Sequence, residues 1–402
     1  MLESRFERKI LKLIYSATCA GSTWLKYTNY QLHFSFSVKV QALVLAQCYK
    51  LNKPLHKSFK LPCCLFDDYF APPYTVNQIK EKIDIVYLWV DGADPVWFAK
   101  RQHAILNSSN VERKKIAVHG DVAGRYRDNQ ELRFNLRALE KFFPEHGHIY
   151  LVTDGQTPHW LKPSEGITLI DHASIIPSTA LPVFDSGHIE SYLHHIPGLS
   201  ERFIYLNDDV FFGAPVNVES WFGQHGVAVF KEQEQVPDYG TLQKEETALV
   251  NASILSKHWL QQRYPLYQHV HRIFAHAPRP MLKSVLLELE KEAPDLFEQV
   301  RQTVFRDWQR PPIVPDLVPR WMLHRGLAYL REIEYRYICS GDSDAEQQFA
   351  DLSERFGELV FFCINDTSDN AASDDPQLLR IRETLERLLP LPSRYETTSE
   401  NV

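Results

Sequence analysis

From residue 83 onward the chain alternates short apolar runs with stretches of helical periodicity. Ile83-Asp-Ile-Val-Tyr-Leu-Trp-Val90, His148-Ile-Tyr-Leu-Val-Thr153, Ile167-Thr-Leu-Ile170, Phe203-Ile-Tyr-Leu206 and Phe361-Phe-Cys-Ile364 are rich in β-branched and aromatic residues and predict buried strands. Leu132, Leu136, Leu139 and Phe143 recur at helical spacing after the Arg125–Asn129 loop, with Asp128 or Asn129 placed to cap that helix and Pro144 to stop it. A further helix is predicted from about Ser186 to His195, closed by Pro197-Gly198. Strands alternating with helices in this way predict a mostly parallel sheet covered on both faces.

The later part is more helical, with a helical subregion at about 256–330 inserted in the main domain. Pro280 and Pro294 stand where a first helical turn tolerates proline, ahead of helical runs at 281–292 and 295–308. Asp375-Pro376 opens a last amphipathic helix through Leu389, and the final dozen residues are expected to fray. The predicted organisation is a basic N-terminal extension (1–82), an α/β catalytic domain (83–375), and a C-terminal helix and tail (376–402).

Charge sharpens the first boundary. The 402 residues carry 44 Lys+Arg and 51 Asp+Glu, but residues 1–82 hold 12 of the basic and 5 of the acidic ones, so the extension is +7 and the rest is −14. Phe70-Ala-Pro-Pro-Tyr74 reads as the boundary turn. The basic piece could bring the protein peripherally to an anionic membrane surface or to acidic assembly partners; a helical cap with a solvated basic face is the alternative. No run approaches the ~18 apolar residues of a membrane span, and no signal peptide is evident, so the chain is expected to be cytoplasmic. The six cysteines form no C-x-x-C pair, which argues against a zinc knuckle or a disulfide scaffold.

The chemistry is suggested by position. Val90 runs into Asp91-Gly92, Thr153 into Asp154, Ile170 into Asp171, Leu206 into Asn207-Asp208-Asp209, and Ile364 into Asn365-Asp366. Ligands of open parallel sheets bind outside the carboxyl ends of the strands, so these acids are expected on one rim. Such a cluster repels itself unless a cation or proton joins it, and hard oxygen ligands suit Mg²⁺ or Mn²⁺. Arg125, Arg127 and Arg133 bracket a helix start that favours anions, as a diphosphate site would need. The fold class expected is therefore α/β, Rossmann-like or GT-A-like. Among 17 histidines, His276 stands out because Ala-Pro-Arg follows it in a non-helical segment.

These residues also carry a resemblance. Ile83 to Pro95 resembles the first conserved block of the Stealth family of sugar-phosphate transferases. Arg125-Tyr-Arg-Asp-Asn-Gln-Glu-Leu-Arg133 through Gly155, with Ile196 to Phe211, resembles the second; His276-Ala-Pro-Arg279 with Thr303-Val-Phe-Arg306 the third; Cys363-Ile-Asn-Asp366 the fourth. The chain is similar to bacterial capsular polysaccharide phosphotransferases and to the catalytic core of the animal N-acetylglucosamine-1-phosphotransferase. Phe184-Asp-Ser-Gly-His-Ile-Glu190 departs from the family pattern: Asp185 replaces an amide, and the histidine, His188, is displaced by one position.

The resemblance implies transfer of a hexose-1-phosphate from a UDP-sugar to a hydroxyl of a glycan acceptor, releasing UMP, in capsular or cell-surface polysaccharide synthesis. It implies His276, Arg306 and Asp209 as catalytic, with His276 the base and Arg306 on the phosphoryl charge. Asp208, Asp209 and Asp366 would hold the metal. Asp91, Gly92, Arg127, Asp128, Asn129, Arg133 and Asn365 would form the donor pocket. Two alternatives stay open: a metal-dependent glycosyltransferase that releases UDP, and a non-catalytic nucleotide-sugar or glycan-binding subunit.

Overall fold

The structure, a computed structural model, describes residues 82–223, 226–366, 368–369, 371–372 and 374–397. The expected basic extension, with its suggested membrane or partner role, lies outside the described residues except for Lys82.

The described strands are β1 (Asp84–Leu88), β2 (Ile149–Thr153), β3 (Ile167–Asp171), β4 (Arg202–Asn207), β5 (Val210–Phe212), β6 (Phe222–Gly223), β7 (Gly226–Gln235), β8 (Arg272–Phe274), β9 (Arg279–Leu282), β10 (Ala328–Arg331), β11 (Arg336–Cys339) and β12 (Phe361–Asn365). The central sheet has the order β3-β2-β1-β4-β9. Its first four strands are parallel and β9 is antiparallel to β4. Every residue of β1 and β2 is buried, as expected for apolar runs covered on both faces. Leu88 of β1 lies beside Val152 of β2 and Asn207 of β4, so these three strands finish level with one another. At the opposite end the buried Asp84 carboxylate accepts the His148 and Ser200 amides, both at 2.9 Å, and ties the strand starts together.

Pro280 is not the first turn of a helix but the middle of β9, opposite Ile204. Proline donates no ladder hydrogen bond, and β9 is an edge strand, where that loss is tolerated. The helix begins later, at Lys283. The region 256–330 is accordingly not purely helical, since β8, β9 and the start of β10 run through it.

β12 does not extend the central sheet. It lies in a three-stranded sheet of order β11-β12-β5, parallel to β11 and antiparallel to β5. Because β5 follows β4 after two residues, Asp208 and Asp209 form the link between the two sheets.

The helices used below are α1 (Pro95–Asn107), α2 (Glu131–Phe142), α3 (Ser186–Glu190), α4 (Ala248–Arg263), α5 (Lys283–Glu292), α6 (Pro294–Val300), α7 (Leu317–His324), α8 (Ala345–Arg355) and α9 (Pro376–Leu388). α2 buries Leu132, Leu136 and Leu139, as its periodicity predicts. Its N-cap, however, is Gln130 in the left-handed region (φ 68°), and neither the Asp128 nor the Asn129 side chain caps it. The segment expected as one helix from Ser186 to His195 is two pieces, α3 and a 3-10 turn at Leu193–His195. The run after Pro294 ends at Val300 rather than 308.

α9 is capped by Asp375, whose carboxylate accepts the Gln377 amide. It buries Leu378, Ile381 and Leu385 completely in the same apolar core as β1 and β4, so it packs as part of the main domain. The tail to Thr397 is not frayed. Tyr395 is buried, and Glu396 accepts Arg137 at 2.7 Å through each of its oxygens and Arg133 at 2.5 Å. No helix of the described residues is long and apolar enough to cross a membrane.

Candidate functional site

A cleft of about 470 Å³ opens at the carboxyl ends of β1, β2, β4 and β12. The strand-end acids Asp154, Asp208, Asp209 and Asp366 line it. Asp91 and Asp171 do not: Asp91 turns back to accept the Ala93 amide, and Asp171 caps the one-turn helix His172–Ile175 by accepting the Ala173 amide.

One wall is acidic. Asn135 of α2, wholly buried, donates to the backbone oxygens of Asp208 (3.0 Å) and Val210 (2.6 Å) and accepts the Tyr87 hydroxyl, so α2 and β1 together fix the Asp208-Asp209 link. β12 braces it from the other side through the Ile364 amide, 3.0 Å from the Asp209 carbonyl oxygen. Loss of water contact, reinforced by Asp209 and then Glu131, pushes the Asp208 carboxyl well above the usual range. Burial and then the Asp128 charge raise Glu131 to about 8. Burial raises Asp128 to about 6, with Asp91 adding to it. His276 completes this wall, at 3.4 Å from Asp209 Oδ1, and behind it the fully buried Cys363 lies 3.5 Å from Asp209 Oδ2.

The opposite wall is basic. Arg127 donates to Asp366 and, at 2.9 Å, to Ser368. Arg306 donates to Ser186 Oγ at 2.6 Å and stands 3.7 Å from the helix-capping Asp185. Arg125 has no hydrogen-bond or carboxylate partner among the described residues, and its buried Nε is unsatisfied. Burial and then the neighbouring Arg306 charge lower its pKa. Beneath, Glu190 accepts the Tyr205 hydroxyl at 2.8 Å through Oε1, while Oε2 is buried with no partner among the described residues. Burial raises Glu190, against the lowering effect of Arg279.

Glycines allow the walls to close. A Cβ on Gly92 would lie 2.4 Å from the Tyr126 carbonyl oxygen, and one on Gly124 would lie 2.5 Å from the Asp366 carbonyl oxygen. Only a residue without a side chain lets the Arg125–Arg127 turn approach both strand ends.

Of the residues singled out from sequence, His276, Arg306, Asp208, Asp209, Asp366, Arg127 and Asn365 line the cleft together. Asp366 departs from its expected metal-ligand role. Both its oxygens are taken by protein donors, Oδ2 by Arg127 and Asn129 and Oδ1 by the Ser368 amide and hydroxyl, so it holds Arg127 in place. Asp91, Gly92, Asp128 and Asn129 lie behind the lining: Asp128 accepts the Gln130 amide, and Asn129 donates to Glu131 through its amide and Nδ2. Arg133 is drawn away by Glu396 and Gln130. His188 is fully buried with Nδ1 at 2.7 Å from the Thr303 carbonyl oxygen, a packing role.

Glu131, Glu190 and Arg279 were not singled out. A glutamate opening a helix looks like ordinary macrodipole pairing, and nothing in the spacing marks Glu190 as buried. Of the expected metal ligands, Asp208 and Asp209 remain, and the Asp209, His276 and Cys363 donor atoms lie within 4.8 Å of one another. The two carboxylates are hard oxygen ligands in an acidic surround that needs positive charge, and they fit a hard divalent cation.

Three family descriptions match the chain: Stealth protein conserved region 1 at residues 81–109, conserved region 2 at 125–230 and conserved region 4 at 358–402. Curated relatives include an exopolysaccharide phosphotransferase of Streptomyces coelicolor, 34% identical over 329 residues, covering 80% of this chain and 34% of the relative. A second from the same organism is 34% identical, covering 80% and 53%, and the exopolysaccharide phosphotransferase CpsY of Mycobacterium tuberculosis is 31% identical, covering 84% and 62%. The chain thus spans about one third to three fifths of the length of these relatives. Among solved structures, the bifunctional glycosyltransferase WbbM aligns at a TM-score of 0.40 with 8% identity, over 78% of this chain and 50% of that one. With the matched regions holding the Arg125 turn, the Asp208-Asp209 link and the β12 end of the cleft, the chain belongs to the Stealth family.

Proposed function

We propose that the cleft transfers a hexose-1-phosphate, such as an N-acetylhexosamine-1-phosphate, from a UDP-sugar to a hydroxyl of a glycan acceptor. The observation that carries this reading is the unpaired Arg125 beside Arg306, facing the Asp208-Asp209 pair across one cleft. Two neighbouring guanidiniums favour an anion between them, and an acid pair opposite favours a cation, which together describe a metal-bound diphosphate. The names of the relatives agree with a sugar phosphotransferase in exopolysaccharide synthesis.

In this reaction the acceptor oxygen attacks the phosphorus next to the sugar, the P–O–P bridge breaks, UMP leaves and a phosphodiester forms. Asp208 and Asp209 would hold Mg²⁺ or Mn²⁺, which when bound neutralises charge on the phosphoryl oxygens. Arg125 and Arg306 stabilise charge on the transferring group. His276 receives the acceptor proton. Nε2 is turned to Asp209, and in the tautomer that carries its hydrogen there Nδ1 is the atom that takes the proton. We place the reaction in the cytoplasm.

The test is incubation of the protein with UDP-sugars, Mg²⁺ and oligosaccharide acceptors, followed by identification of the nucleotide and of phosphorus in the product. UMP with a phosphodiester-linked glycan is the expected outcome. UDP with a phosphate-free glycoside would replace it with glycosyl transfer, and binding without turnover would replace it with a non-catalytic subunit.

A further inference from the structure

Away from the cleft wall, the 3-10 turn Leu193–His195 meets α5. Nε2 of His194 lies 2.7 Å from Glu290 Oε2, and Nε2 of His195 lies 3.3 Å from the same oxygen. These three donor atoms lie within 4.8 Å of one another. His194 is buried, whereas the His195 side chain is 40% exposed, so the group is open to solvent on one side. The second Glu290 oxygen is held by Arg301, which also donates to Ser191 Oγ at 3.0 Å and to the Ser191 carbonyl oxygen at 2.6 Å.

We infer that His194, His195 and Glu290 form a binding site for a borderline divalent ion of the Zn²⁺ class, separate from the cleft and fastening the turn to α5. Two imidazole nitrogens and one carboxylate oxygen are donors that Zn²⁺ takes readily and Mg²⁺ does not. Zinc–ligand bonds of about 2.0–2.2 Å separate tetrahedral donors by roughly 3.3 Å, so the His195–Glu290 spacing already fits and the His194–Glu290 spacing needs to open by about 0.6 Å. Three protein ligands leave the fourth position to water on the exposed side.

Arg301 occupies the carboxylate oxygen that faces away from the histidines, and hydrogen bonding of this kind orients a ligating carboxylate. Among the described residues the buried His194 Nδ1 has no hydrogen-bond partner, so a metal on Nε2 must also offset the cost of an unpaired Nδ1–H.

The test uses the full chain, stripped with chelator and titrated with Zn²⁺ and, for its visible absorption, Co²⁺. An Asp208→Asn/Asp209→Asn/His276→Ala variant breaks up the cleft's own Asp–His–Cys donor group. That variant is expected to retain one tight Zn²⁺ and to give the intense visible bands of low-coordinate Co²⁺. Adding His195→Ala, at an exposed ring whose loss leaves the core intact, is expected to weaken Zn²⁺ more than tenfold, about the scale on which ligand-shell changes act. His195→Ala in the otherwise unchanged chain should also lose the rise in Tm that Zn²⁺ gives. Zn²⁺ affinity unchanged by His195→Ala, or no Co²⁺ bands in the cleft variant, would overturn the site.

Discussion

Nε2 of His276 lies 3.4 Å from Oδ1 of Asp209, and Asp209 is in turn gripped at its carbonyl oxygen by the Ile364 amide. One residue therefore joins the proposed base, the acidic link and the β12 end of the cleft. His276→Ala is expected to lower kcat for transfer by about 10²–10⁴-fold, the usual range for losing a general base. Asp209→Asn should do at least as much, since it removes a metal donor too. Both should leave Tm nearly unchanged, and a wild-type rate in either variant would remove that residue from the chemistry.

Arg125 predicts an opposition between stability and function. Its guanidinium is poorly hydrated, faces Arg306 and makes no direct carboxylate contact among the described residues, with Asp185 and Asp209 offsetting the Arg306 repulsion only in part. Arg125→Met should raise the Tm of the ligand-free protein while reducing transfer by roughly 10²-fold or more. Inorganic phosphate should raise the Tm of wild type but not of the variant. Stabilisation by phosphate that survives Arg125→Met would place the anion elsewhere.

The raised carboxyls set a pH dependence. Glu131 (about 8) and Asp128 (about 6) keep their protons in the folded chain over a window where unfolded carboxylates, near 4, have lost theirs. The folded state then binds more protons, so these groups reduce stability as pH rises from about 4 to about 8. In chelator, Tm should fall between pH 5.5 and 8.5, and less steeply in Glu131→Gln. Mg²⁺ should offset part of the fall at the upper end. Equal slopes for wild type and Glu131→Gln would show that Glu131 is not the group responsible.

Glu396 should matter more than its place near the end suggests. Its carboxylate is buried between Arg137 and Arg133. Glu396→Ala would strand the buried Arg137 charge and is expected to cost roughly 3–5 kcal/mol, read from urea denaturation. A loss below about 1 kcal/mol would mean the pairing adds no more than a surface ion pair.

The strands were legible because fully covered strands are apolar throughout, and β1, β2, β4 and β12 fall where the runs Ile83–Val90, His148–Thr153, Phe203–Leu206 and Phe361–Ile364 predict them. The Asp208-Asp209 link was legible for the same reason, as polar residues directly after such a run. What could not be read was pairing over long distances. Arg125 and Arg133 look alike in sequence, yet one is left bare in the cleft and the other is claimed by Glu396, 263 residues away. Pro280 resembled a helix start because proline suits both a first turn and a sheet edge, and only β4 beside it decides between them.

The pairing of Arg127 with Asp366, 239 residues apart, bears on how the chain matures during synthesis. Asp208 and Asp209 leave the ribosome long before β12 can brace them or Asp366 can fix the arginine turn. A nascent chain halted before Phe361 thus carries an acid link without its brace and an arginine turn without its anchor. The cleft can assemble only once β12 has emerged, so a product terminated before it lacks the braced acid link and the anchored arginine turn however well its central sheet has formed.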